Sequence, residues 1–310
     1  MNTYDIVVVG GGPAGLTAVI YTSRASLKTL IIAGNPPGGQ LIETTEVENY
    51  PGFPNGVLGP DLISNMRRQS EKFGAISINE NVISISGNKK DGFQVKMKSG
   101  KEFLAKSVII ASGASAKWLG LESEQRFKGK GVSACATCDG FFFKDQEVVV
   151  VGGGDAAMEE AIFLTRFATK VHVFVRGEKE AMKASIIMQN KAFSNPKITF
   201  YFSTEIREVL GDDAVSGVKT INNKTNEKKL MENIKGVFVA IGHKPNTEFL
   251  KGFLDLDERG YIRVTDNTKT SIAGIFAGGD VSDYKYRQAV TAAGLGCMAA
   301  LDAEKFLTKK

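Results

Sequence analysis

Two of the chain's three cysteines, Cys135 and Cys138, are separated by only two residues. This spacing lets both sulfur atoms meet in one small loop, either as a disulfide or as two metal ligands. A tetrahedral zinc site needs about four Cys, His or carboxylate ligands. The chain otherwise offers only Cys297, His172 and His243, none of them in a second closely spaced pair. The pattern therefore favours a redox-active pair over a zinc site or two incidental cysteines in a turn.

Asp139 follows Cys138 directly and precedes Gly140. Thiol–disulfide exchange runs through a thiolate, so each half-reaction moves a proton. A carboxyl group beside the pair can supply or take that proton. Asp-Gly is also a common turn sequence, so Asp139 fits an acid–base group and a solvated turn residue equally well.

The length and composition of the chain limit the kinds of protein that it can be. Its 310 residues allow two domains with substantial cores, and its 43% apolar and 24% charged residues are ordinary for a globular protein. The net charge of +5 comes from scattered lysines, which argues against a nucleic-acid partner but suits an acidic protein partner or a phosphate-bearing cofactor.

No apolar run approaches the ~20 residues of a membrane helix, and the chain enters its first apolar run without a charged leader segment. We therefore expect a cytoplasmic protein without a membrane partner. In a reducing cytosol, a CxxC pair is more often catalytic or metal-binding than structural. We expect Cys297, in a run of small helical residues, to be a buried, inert thiol.

The elements that must position this chemistry begin at the N-terminus. Residues 4–9 form an apolar run that predicts a buried strand, and the motif GGGPAG and an Ala-rich helix over 14–25 follow at once. In this context G-x-G-x-x-G indicates a dinucleotide site: Gly10 permits the turn, Gly12 lets the backbone approach a pyrophosphate, and Gly15 lets helix and strand pack closely. The helix N-terminus then faces the phosphate charge.

The next strand, 29–33, runs into Gly34 without the acid that usually binds the ribose. Two Gly-rich turns with polar side chains, including Gln40 and Asn49, suit a loop along a planar cofactor or an ordinary surface loop. The pattern then predicts a helix over 61–73 capped by Asp61, and strands over 75–86, 93–97 and 102–111.

After the cysteine pair, the opening pattern recurs. A strand over 147–151, a second fingerprint G-x-G-x-x-A over 152–157, a helix over 158–167 and a strand over 171–175 form an internal repeat of the nucleotide-binding unit. Two such units with a CxxC pair between them indicate electron transfer between two nucleotides.

The residues after the repeat bear on the second nucleotide. A 2′-phosphate favours nearby Arg, whereas a free 2′-hydroxyl favours an acid. Arg176 and Lys183 indicate the phosphate, and Glu178 indicates the hydroxyl. The residues themselves leave NADPH and NADH open.

The C-terminal part of the sequence predicts short strands over 197–241 with a turn at Asn222-Asn223, an apolar strand over 270–279 and a helix over 286–306. Asp280, at the end of the apolar strand, is placed to bind a ligand hydroxyl. Arg287 and Gln288 fit either a cofactor contact or the polar start of a helix.

Over essentially all 310 residues, the sequence resembles the bacterial low-molecular-weight thioredoxin reductases. Their motifs occur in the family's order and spacing: GGGPAG, GGQL, TTEVENYPG, SACATCDGFF, GGGDAA, GVFVAIGHKPNT, GIFAGGD, YRQA and GCMAALDAE. The segment 131–142 is highly specific for this family. The resemblance implies an α/β fold with two Rossmann-like, three-layer ββα domains, the second inserted in the first. Residues 1–115 with 245–310 would bind FAD, and residues 116–244 would bind NAD(P)H and carry the CxxC pair.

The resemblance also implies residue roles. Cys138 would lie nearer the flavin, Cys135 would attack thioredoxin, and Asp139 would be the acid–base group. The family usually lacks an acid at the position of Gly34. Residues implied for FAD are Gly10, Gly12, Pro13, Ala14, Gly15, Gly38, Gly39, Gln40, Leu41, Asn49, Ala111, Ser112, Gly113, Asp280, Arg287, Gln288 and Ala289. Those implied for NADPH are Gly152, Gly154, Asp155, Ala156, Arg176, Lys183, Ile241 and Gly242.

The family works as a homodimer whose inserted domain rotates between half-reactions, which would place hinges near 113–115 and 242–245. Its phosphate-binding motif, HRRxxxR, is only partly present. Val175 replaces the His, Arg176 keeps the first Arg and Gly177 replaces the second, while the third aligns with Ala181, or with Lys183 after a two-residue insertion. We expect NADPH, with NADH as the alternative.

Three other functions fit parts of the pattern. They are an NADH-dependent reductase of a peroxiredoxin or glutaredoxin-like protein, a ferredoxin-dependent flavoprotein thioredoxin reductase, and a non-enzymatic zinc or redox-sensing module. The intact GGGDAA motif argues against ferredoxin as donor.

Overall fold

The computed structural model describes residues 2–44 and 46–308. The chain divides into two compact units, one formed by Met1–Ser115 with Lys244–Lys310 and the other by Ala116–His243. The first unit is thus built from two separate segments, and the second lies between them in the sequence. The nucleotide that each unit binds stays a prediction.

The strands, numbered in chain order, are β1 Thr3–Val9, β2 Thr29–Ile32, β3 Glu46–Val47, β4 Val57–Leu58, β5 Ile76–Ile78, β6 Val82–Asn88, β7 Gly92–Met97, β8 Glu102–Ile110, β9 Ala114–Ala116, β10 Val132–Ser133, β11 Glu147–Val151, β12 Lys170–Phe174, β13 Ile198–Tyr201, β14 Thr204–Gly211, β15 Val215–Asn222, β16 Lys228–Glu232, β17 Ile234–Val239, β18 His243–Pro245 and β19 Ile275–Ala277. The α-helices are α1 Pro13–Arg24, α2 Gly59–Lys72, α3 Glu122–Arg126, α4 Ala136–Asp139, α5 Asp155–Leu164, α6 Ile186–Phe193 and α7 Ala289–Thr308.

The first unit is built on a sheet with the order β5-β2-β1-β8-β7-β6. β1 lies parallel to β2 and β8. β8 has two partners along its outer edge, because its beginning pairs antiparallel with β7 and its end pairs parallel with β19. This division lets one strand serve both the parallel nucleotide-binding sheet and an antiparallel layer.

Alternate residues of β1 enter two different cores. Val7 and Val9 pack with residues of β7 such as Phe93, whereas Ile6 and Val8 pack with α1 and α7. Because side chains alternate across a strand, a sheet covered on both faces requires apolar residues at every position. The continuous apolar run at 4–9 is therefore explained by a layer on each side of the sheet.

Helices α1 and α7 pack closely through small residues, among them Ala18, Ala299 and Ala303. A β-carbon on Gly296 would overlap the backbone of Ala14, so this crossing requires a glycine. The beginning of α1, which carries the first fingerprint, is thereby held against α7.

The second unit repeats the plan. Its parallel sheet has the order β10-β17-β11-β12-β13, and β14-β15-β16 form an antiparallel sheet. Val148 and Val150 of β11 pack with α5, whereas Val149 and Val151 pack with residues of the antiparallel sheet such as Val218. The predicted repeat and the predicted fold class, two Rossmann-like α/β domains, are confirmed.

Several predicted bounds were wrong. The segment 75–86 forms two strands, because β5 pairs parallel with β2 while β6 pairs antiparallel with β7. Asp61 does not cap its helix; α2 begins at Gly59, and Asp61 lies in its first turn after a proline that is compatible with a helix start.

Two further differences concern the C-terminal part and the inserted unit. The strand predicted over 270–279 is only Ile275–Ala277, and the helix predicted over 158–167 already begins at Asp155. Cys297 is partly exposed and hydrogen-bonded to Tyr21, so the expected buried thiol was wrong. Within residues 2–44 and 46–308, no helix combines the length and apolar character needed to cross a membrane.

Candidate active site and nucleotide-binding sites

Cys135 and Cys138 form a disulfide, with Cα atoms 5.3 Å apart. Cys135 follows β10 and immediately precedes α4, the single helical turn that contains Cys138. The Cys135 carbonyl accepts hydrogen bonds from the amides of Cys138 (3.2 Å) and Asp139 (3.1 Å). This one turn brings the two sulfur atoms together and places Asp139 beside them.

Ser133 connects the cysteine loop to the acid, a role that sequence reasoning missed. Its hydroxyl oxygen accepts a hydrogen bond from the Cys135 amide at 3.0 Å. Burial raises the pKa of the Asp139 carboxyl, and a hydrogen bond with Ser133 partly opposes this rise. A half-buried, hydrogen-bonded carboxyl of raised pKa is a better proton donor near neutral pH than a solvated turn aspartate.

Exposed aromatic side chains follow the disulfide. Phe141 and Phe142 are 57% and 40% exposed, in the 3₁₀ turn Gly140–Phe143. The Phe141 ring packs edge-to-face against Phe167 at a centroid distance of 5.9 Å. Large apolar side chains exposed together are characteristic of a surface that binds another molecule.

The first fingerprint forms the turn between β1 and α1. Gly10 has a φ of +120°, and Gly12 is the extended N-cap residue of α1, with no side chain capping the helix. A β-carbon on Gly12 would meet only the Gly38 carbonyl oxygen, at 3.9 Å. Bare backbone at the start of a 12-residue helix suits a phosphate group. Pro13, Ala14 and Gly15 form the first turn of this helix.

Two loops of the first unit carry other residues expected to bind the cofactor. Gly38 and Gly39 adopt positive φ values of 117° and 67° at the start of a 3₁₀ turn that includes Gln40 and Leu41. The Gln40 side-chain amide donates to the Ala114 carbonyl at 2.6 Å. The Gln40 side-chain amide is therefore hydrogen-bonded to the backbone, and the expected contact of Gln40 with the flavin stays a prediction.

The loop after β8 is held by Asn246, another residue that the sequence did not indicate. Its side-chain amide donates to the Ser112 carbonyl at 2.9 Å, and its backbone amide donates to the Gly113 carbonyl at 2.9 Å. The Ser112 hydroxyl in turn donates to the Asn246 carbonyl at 2.8 Å. Ala111, where this loop leaves β8, is bonded to β1 through Val9.

Asp280 follows the end of β19 after two glycines and provides the clearest indication of a ligand in the first unit. Its Oδ1 atom is buried and has no hydrogen-bond partner among the described residues. Burial and the nearby Asp283 raise the pKa of Asp280 to about 7, although Arg287 opposes the rise. An unpaired buried oxygen is costly, and a ligand hydroxyl would satisfy it.

The start of α7 lies in the same unit. Arg287 has a φ of +48°, and the helix begins two residues later at Ala289. The Asn49 side-chain amide donates to Gln288 Oε1 at 3.4 Å, so residues far apart in sequence meet here. These observations fit FAD: the first helix turn can hold a pyrophosphate, and Asp280 can accept a hydroxyl. Thr45, in the motif TTEVENYPG, lies outside the described residues.

The second fingerprint is anchored to the segment before α6. Asp155 Oδ1 accepts two hydrogen bonds from Ser185, from its amide at 2.7 Å and from its hydroxyl at 2.9 Å. The Gly153 carbonyl accepts the amides of Lys183 (2.8 Å) and Ala184 (3.0 Å). Lys183, expected to bind the nucleotide, is therefore brought to the fingerprint by its backbone.

The glycines of this second turn differ in their surroundings. A β-carbon on Gly152 would overlap the Ala240 carbonyl, whereas Gly154 has no atom within 4 Å of that position. The open space beside Gly154, at the start of α5 with Asp155 and Ala156, fits a pyrophosphate. Ile241 and Gly242 follow β17 of the same sheet, and Ile241 is 38% exposed.

The end of β12 separates a buried residue from an exposed cation. Val175 is 4% exposed, whereas Arg176 is exposed and makes no ion pair within the part of the chain that the structure describes. The Arg176 carbonyl accepts the side-chain amide of Asn223 at 3.2 Å. The predicted turn at Asn222-Asn223 thus reaches the place where the second nucleotide is expected.

The family model for pyridine nucleotide-disulphide oxidoreductases matches residues 4–296. The chain belongs to this family. Within the family it belongs with the thioredoxin reductases, because the thioredoxin reductase of Streptomyces coelicolor is 50% identical over 98% of this chain and 94% of that protein. The thioredoxin reductase of Rickettsia felis is also 50% identical, over 99% of each chain.

A solved thioredoxin reductase structure from Giardia duodenalis has a TM-score of 0.94 and 41% identity, and the match covers 100% of both chains. The resemblance predicted from the motifs is confirmed. This member of the thioredoxin reductases combines a disulfide with two nucleotide-binding folds. The name of the larger family, pyridine nucleotide-disulphide oxidoreductases, refers to both kinds of feature.

Proposed function

We propose that the protein is an NADPH-dependent thioredoxin-disulfide reductase. Electrons would pass from NADPH to FAD, then to the Cys135–Cys138 disulfide, and finally to oxidised thioredoxin. The observation that carries this proposal is a full-length likeness to thioredoxin reductases in a chain whose CxxC pair forms a disulfide beside an acid of raised pKa. An NADH- or ferredoxin-dependent reductase is not favoured.

The first unit would hold FAD, which supplies a two-electron relay between a nicotinamide and a disulfide. The bare backbone at Gly12 and the first turn of α1 would bind its pyrophosphate. Asp280 would accept a hydroxyl at its unpaired Oδ1. Asn49 and Gln288, which are hydrogen-bonded to each other, would lie along the flavin. The second unit would bind NADPH at Gly154 and at the end of β12.

The cysteines would act by thiol–disulfide exchange once the pair is reduced. The Cys135 thiolate attacks one sulfur of the thioredoxin disulfide, forms a mixed disulfide and releases the other sulfur as a thiolate. The Cys138 thiolate then attacks the Cys135 sulfur, which restores the Cys135–Cys138 disulfide and releases reduced thioredoxin. Asp139 would deliver a proton to a departing thiolate, because burial raises its pKa and makes this carboxyl a better proton donor than an exposed aspartate.

The partner surface and the assembly are also part of the proposal. The exposed rings of Phe141 and Phe142, next to the disulfide, would contact thioredoxin. We expect a cytoplasmic homodimer, and we expect hinges near 113–115 and 242–245 that let the inserted domain alternate between two geometries.

The test begins with the purified protein mixed anaerobically with NADPH or NADH, while the visible flavin band is followed. We expect fast bleaching by NADPH, and thioredoxin reduction on further mixing with thioredoxin. The variants Cys135→Ser and Cys138→Ser should still be bleached but should not turn over thioredoxin. A protein that carries no flavin, or one that NADPH bleaches without any transfer to thioredoxin, would contradict the proposal.

A further inference from the structure

The second unit offers fewer arginines to a 2′-phosphate than the family motif HRRxxxR would provide. A phosphate monoester carries about −1.5 to −2 charge near neutral pH. At the end of β12, glycine and alanine stand at 177 and 181, so Arg176 is the one arginine that the motif retains. The nearest lysine in sequence, Lys179, has its ammonium 4.6 Å from the centroid of the Phe193 ring. Lys183, whose amide is bonded to the Gly153 carbonyl, is the other cation expected from this segment. A third cation would have to come from another element.

The hairpin turn between β15 and β16 supplies one. Lys224 of this turn forms an ion pair with Glu178, which follows β12. Both side chains remain more than half exposed, so they are accessible to a ligand. An acid that would favour a ribose hydroxyl is thereby neutralised by a lysine from a different sheet.

The turn is held in place by backbone and amide hydrogen bonds. Asn223 donates its side-chain amide to the Arg176 carbonyl at 3.2 Å and its backbone amide to the Ser203 carbonyl at 2.6 Å. The Ser203 amide donates to the Gly177 carbonyl at 2.8 Å. Within the turn, Asn222 Oδ1 accepts the Lys224 amide at 2.9 Å. The turn that carries Lys224 is therefore bonded to Arg176 directly and to Gly177 through Ser203, and both residues follow the end of β12.

We propose that Lys224 is a specificity-determining residue that selects the 2′-phosphate of NADPH, by adding a cation beside Arg176 and by neutralising Glu178. This inference rests on the proposed function. Without Lys224, a free Glu178 carboxylate would repel the phosphate and accept a hydrogen bond from the 2′-hydroxyl of NADH. Glu178 is the kind of acid that favours NADH, and its ion pair with Lys224 would let the site prefer NADPH instead.

The test compares dissociation constants for NADP⁺ and NAD⁺ by calorimetry, together with KM for NADPH and NADH at saturating thioredoxin. For Lys224→Gln we expect affinity for NADP⁺ and KM for NADPH to worsen about tenfold. The kcat with NADPH should not change, and the constants for NAD⁺ and NADH should not worsen. Lys224→Arg should retain the preference, and Glu178→Gln should increase it.

The double variant Glu178→Gln with Lys224→Gln separates the two contributions, since it removes the cation without exposing an acid. We expect its NADPH preference to lie between those of wild type and Lys224→Gln. The matched control is Lys219→Gln in β15, because Lys219 makes a similar exposed ion pair with Glu208. This control should leave both nucleotides unaffected.

The outcomes distinguish this inference from the proposed function. A wild-type protein that NADPH does not reduce would contradict the proposed function itself. A wild-type enzyme that uses NADPH but shows the same NADP⁺-to-NAD⁺ ratio after Lys224→Gln would overturn only the role of Lys224. Equal effects of Lys219→Gln and Lys224→Gln would also overturn it, because they would indicate a general surface-charge effect.

Discussion

Gly15 of α1 lies so close to Gly10 that a β-carbon on Gly15 would overlap the Gly10 carbonyl oxygen. A β-carbon on Gly10 would in turn overlap the backbone of Ala111. Gly12 differs, because its β-carbon position is 3.9 Å from the nearest atom, the Gly38 carbonyl oxygen. One motif therefore contains two glycines that the fold requires and one whose free space suits a ligand.

The variants Gly12→Ala and Gly15→Ala should separate these two roles. We expect Gly12→Ala to fold with a free energy of unfolding within about 0.5 kcal/mol of wild type, because the added methyl group contacts little in the protein. Its FAD affinity should fall about tenfold or more, since the methyl group would occupy the phosphate position. The measurements are the flavin-to-protein ratio after gel filtration and urea unfolding of the flavin-free proteins.

Gly15→Ala should instead yield little folded protein. Gly154→Ala is the matched control in the second unit, where the added methyl group also meets open space. It should retain FAD and lose affinity for the nicotinamide nucleotide. Normal FAD content in Gly12→Ala would contradict the assignment of this turn to the pyrophosphate.

Asp280 should make FAD binding depend on pH. Burial raises the pKa of Asp280 to about 7 in the flavin-free protein, and a ligand hydroxyl that donates to the carboxylate would lower this pKa again. Binding should therefore release a proton below about pH 7, where affinity should fall up to about tenfold per pH unit. Above that pH the affinity should be constant. The measurement is flavin fluorescence quenching between pH 5.5 and 8.5.

Asp280→Asn provides the control, because its side chain does not titrate over this range. It should bind FAD more weakly than wild type at pH 8, with an affinity that no longer changes with pH. If wild type and Asp280→Asn showed the same pH dependence, the proton would have to come from another group.

The features that the sequence predicted well are those that depend on short, local sequence patterns. Strand, glycine turn and helix are contiguous at both fingerprints, so each pattern could be interpreted within about 30 residues. The cysteine pair lies within a single turn. By contrast, the Asn246 bonds to Ser112 join residues 134 positions apart, and the Lys224–Glu178 pair depends on how a hairpin meets a parallel sheet. No local pattern contains such contacts.

The error at Cys297 has a geometric cause. Residues of an α-helix are rotated by about 100° from one position to the next. The buried residues of α7 are Ala292, Ala293, Gly296, Ala299, Ala300 and Ala303, so position 297 lies at the edge of the buried face and is only half-buried. The run GCMAALDAE is rich in small residues on more than one face, and composition alone does not identify the face that packs.

The hydrogen bond between Ser133 and Asp139 should be visible in pH profiles. It lowers the pKa of Asp139 against the larger effect of burial. Ser133→Ala should therefore raise this pKa further. Asp139 donates only when protonated, so the descending limb of kcat/KM for thioredoxin should move to higher pH. The measurement is thioredoxin turnover at saturating NADPH between pH 5.5 and 9.

Asp139→Asn should lower thioredoxin turnover by about 10²- to 10⁴-fold, the usual contribution of a general acid. Flavin bleaching by NADPH should be unchanged in both variants, since the acid acts on sulfur leaving groups. Superimposable pH profiles for wild type and Ser133→Ala would show that the limb belongs to another group, such as a thioredoxin thiol.

His172 should make the stability of the second unit sensitive to acid. It is 3% exposed in β12, and its ring nitrogens contact Glu147 Oε2 at 2.8 Å and the Tyr201 hydroxyl at 3.2 Å. Burial lowers the pKa of His172, although the bond to Glu147 opposes this effect. Because the unfolded chain keeps the ordinary value of about 6.5, it binds more protons than the folded protein at mildly acidic pH.

The stability that neutral His172 contributes is therefore present above about pH 6.5 and is lost as pH falls toward the lowered pKa, with a limiting slope of about 1.4 kcal/mol per pH unit. Urea unfolding from pH 5 to 8 should show a smaller acid loss for His172→Gln than for wild type. Glu147→Gln removes the charge that opposes the shift, so its acid loss should extend to lower pH. An unchanged pH dependence in His172→Gln would rule out this histidine as the titrating group.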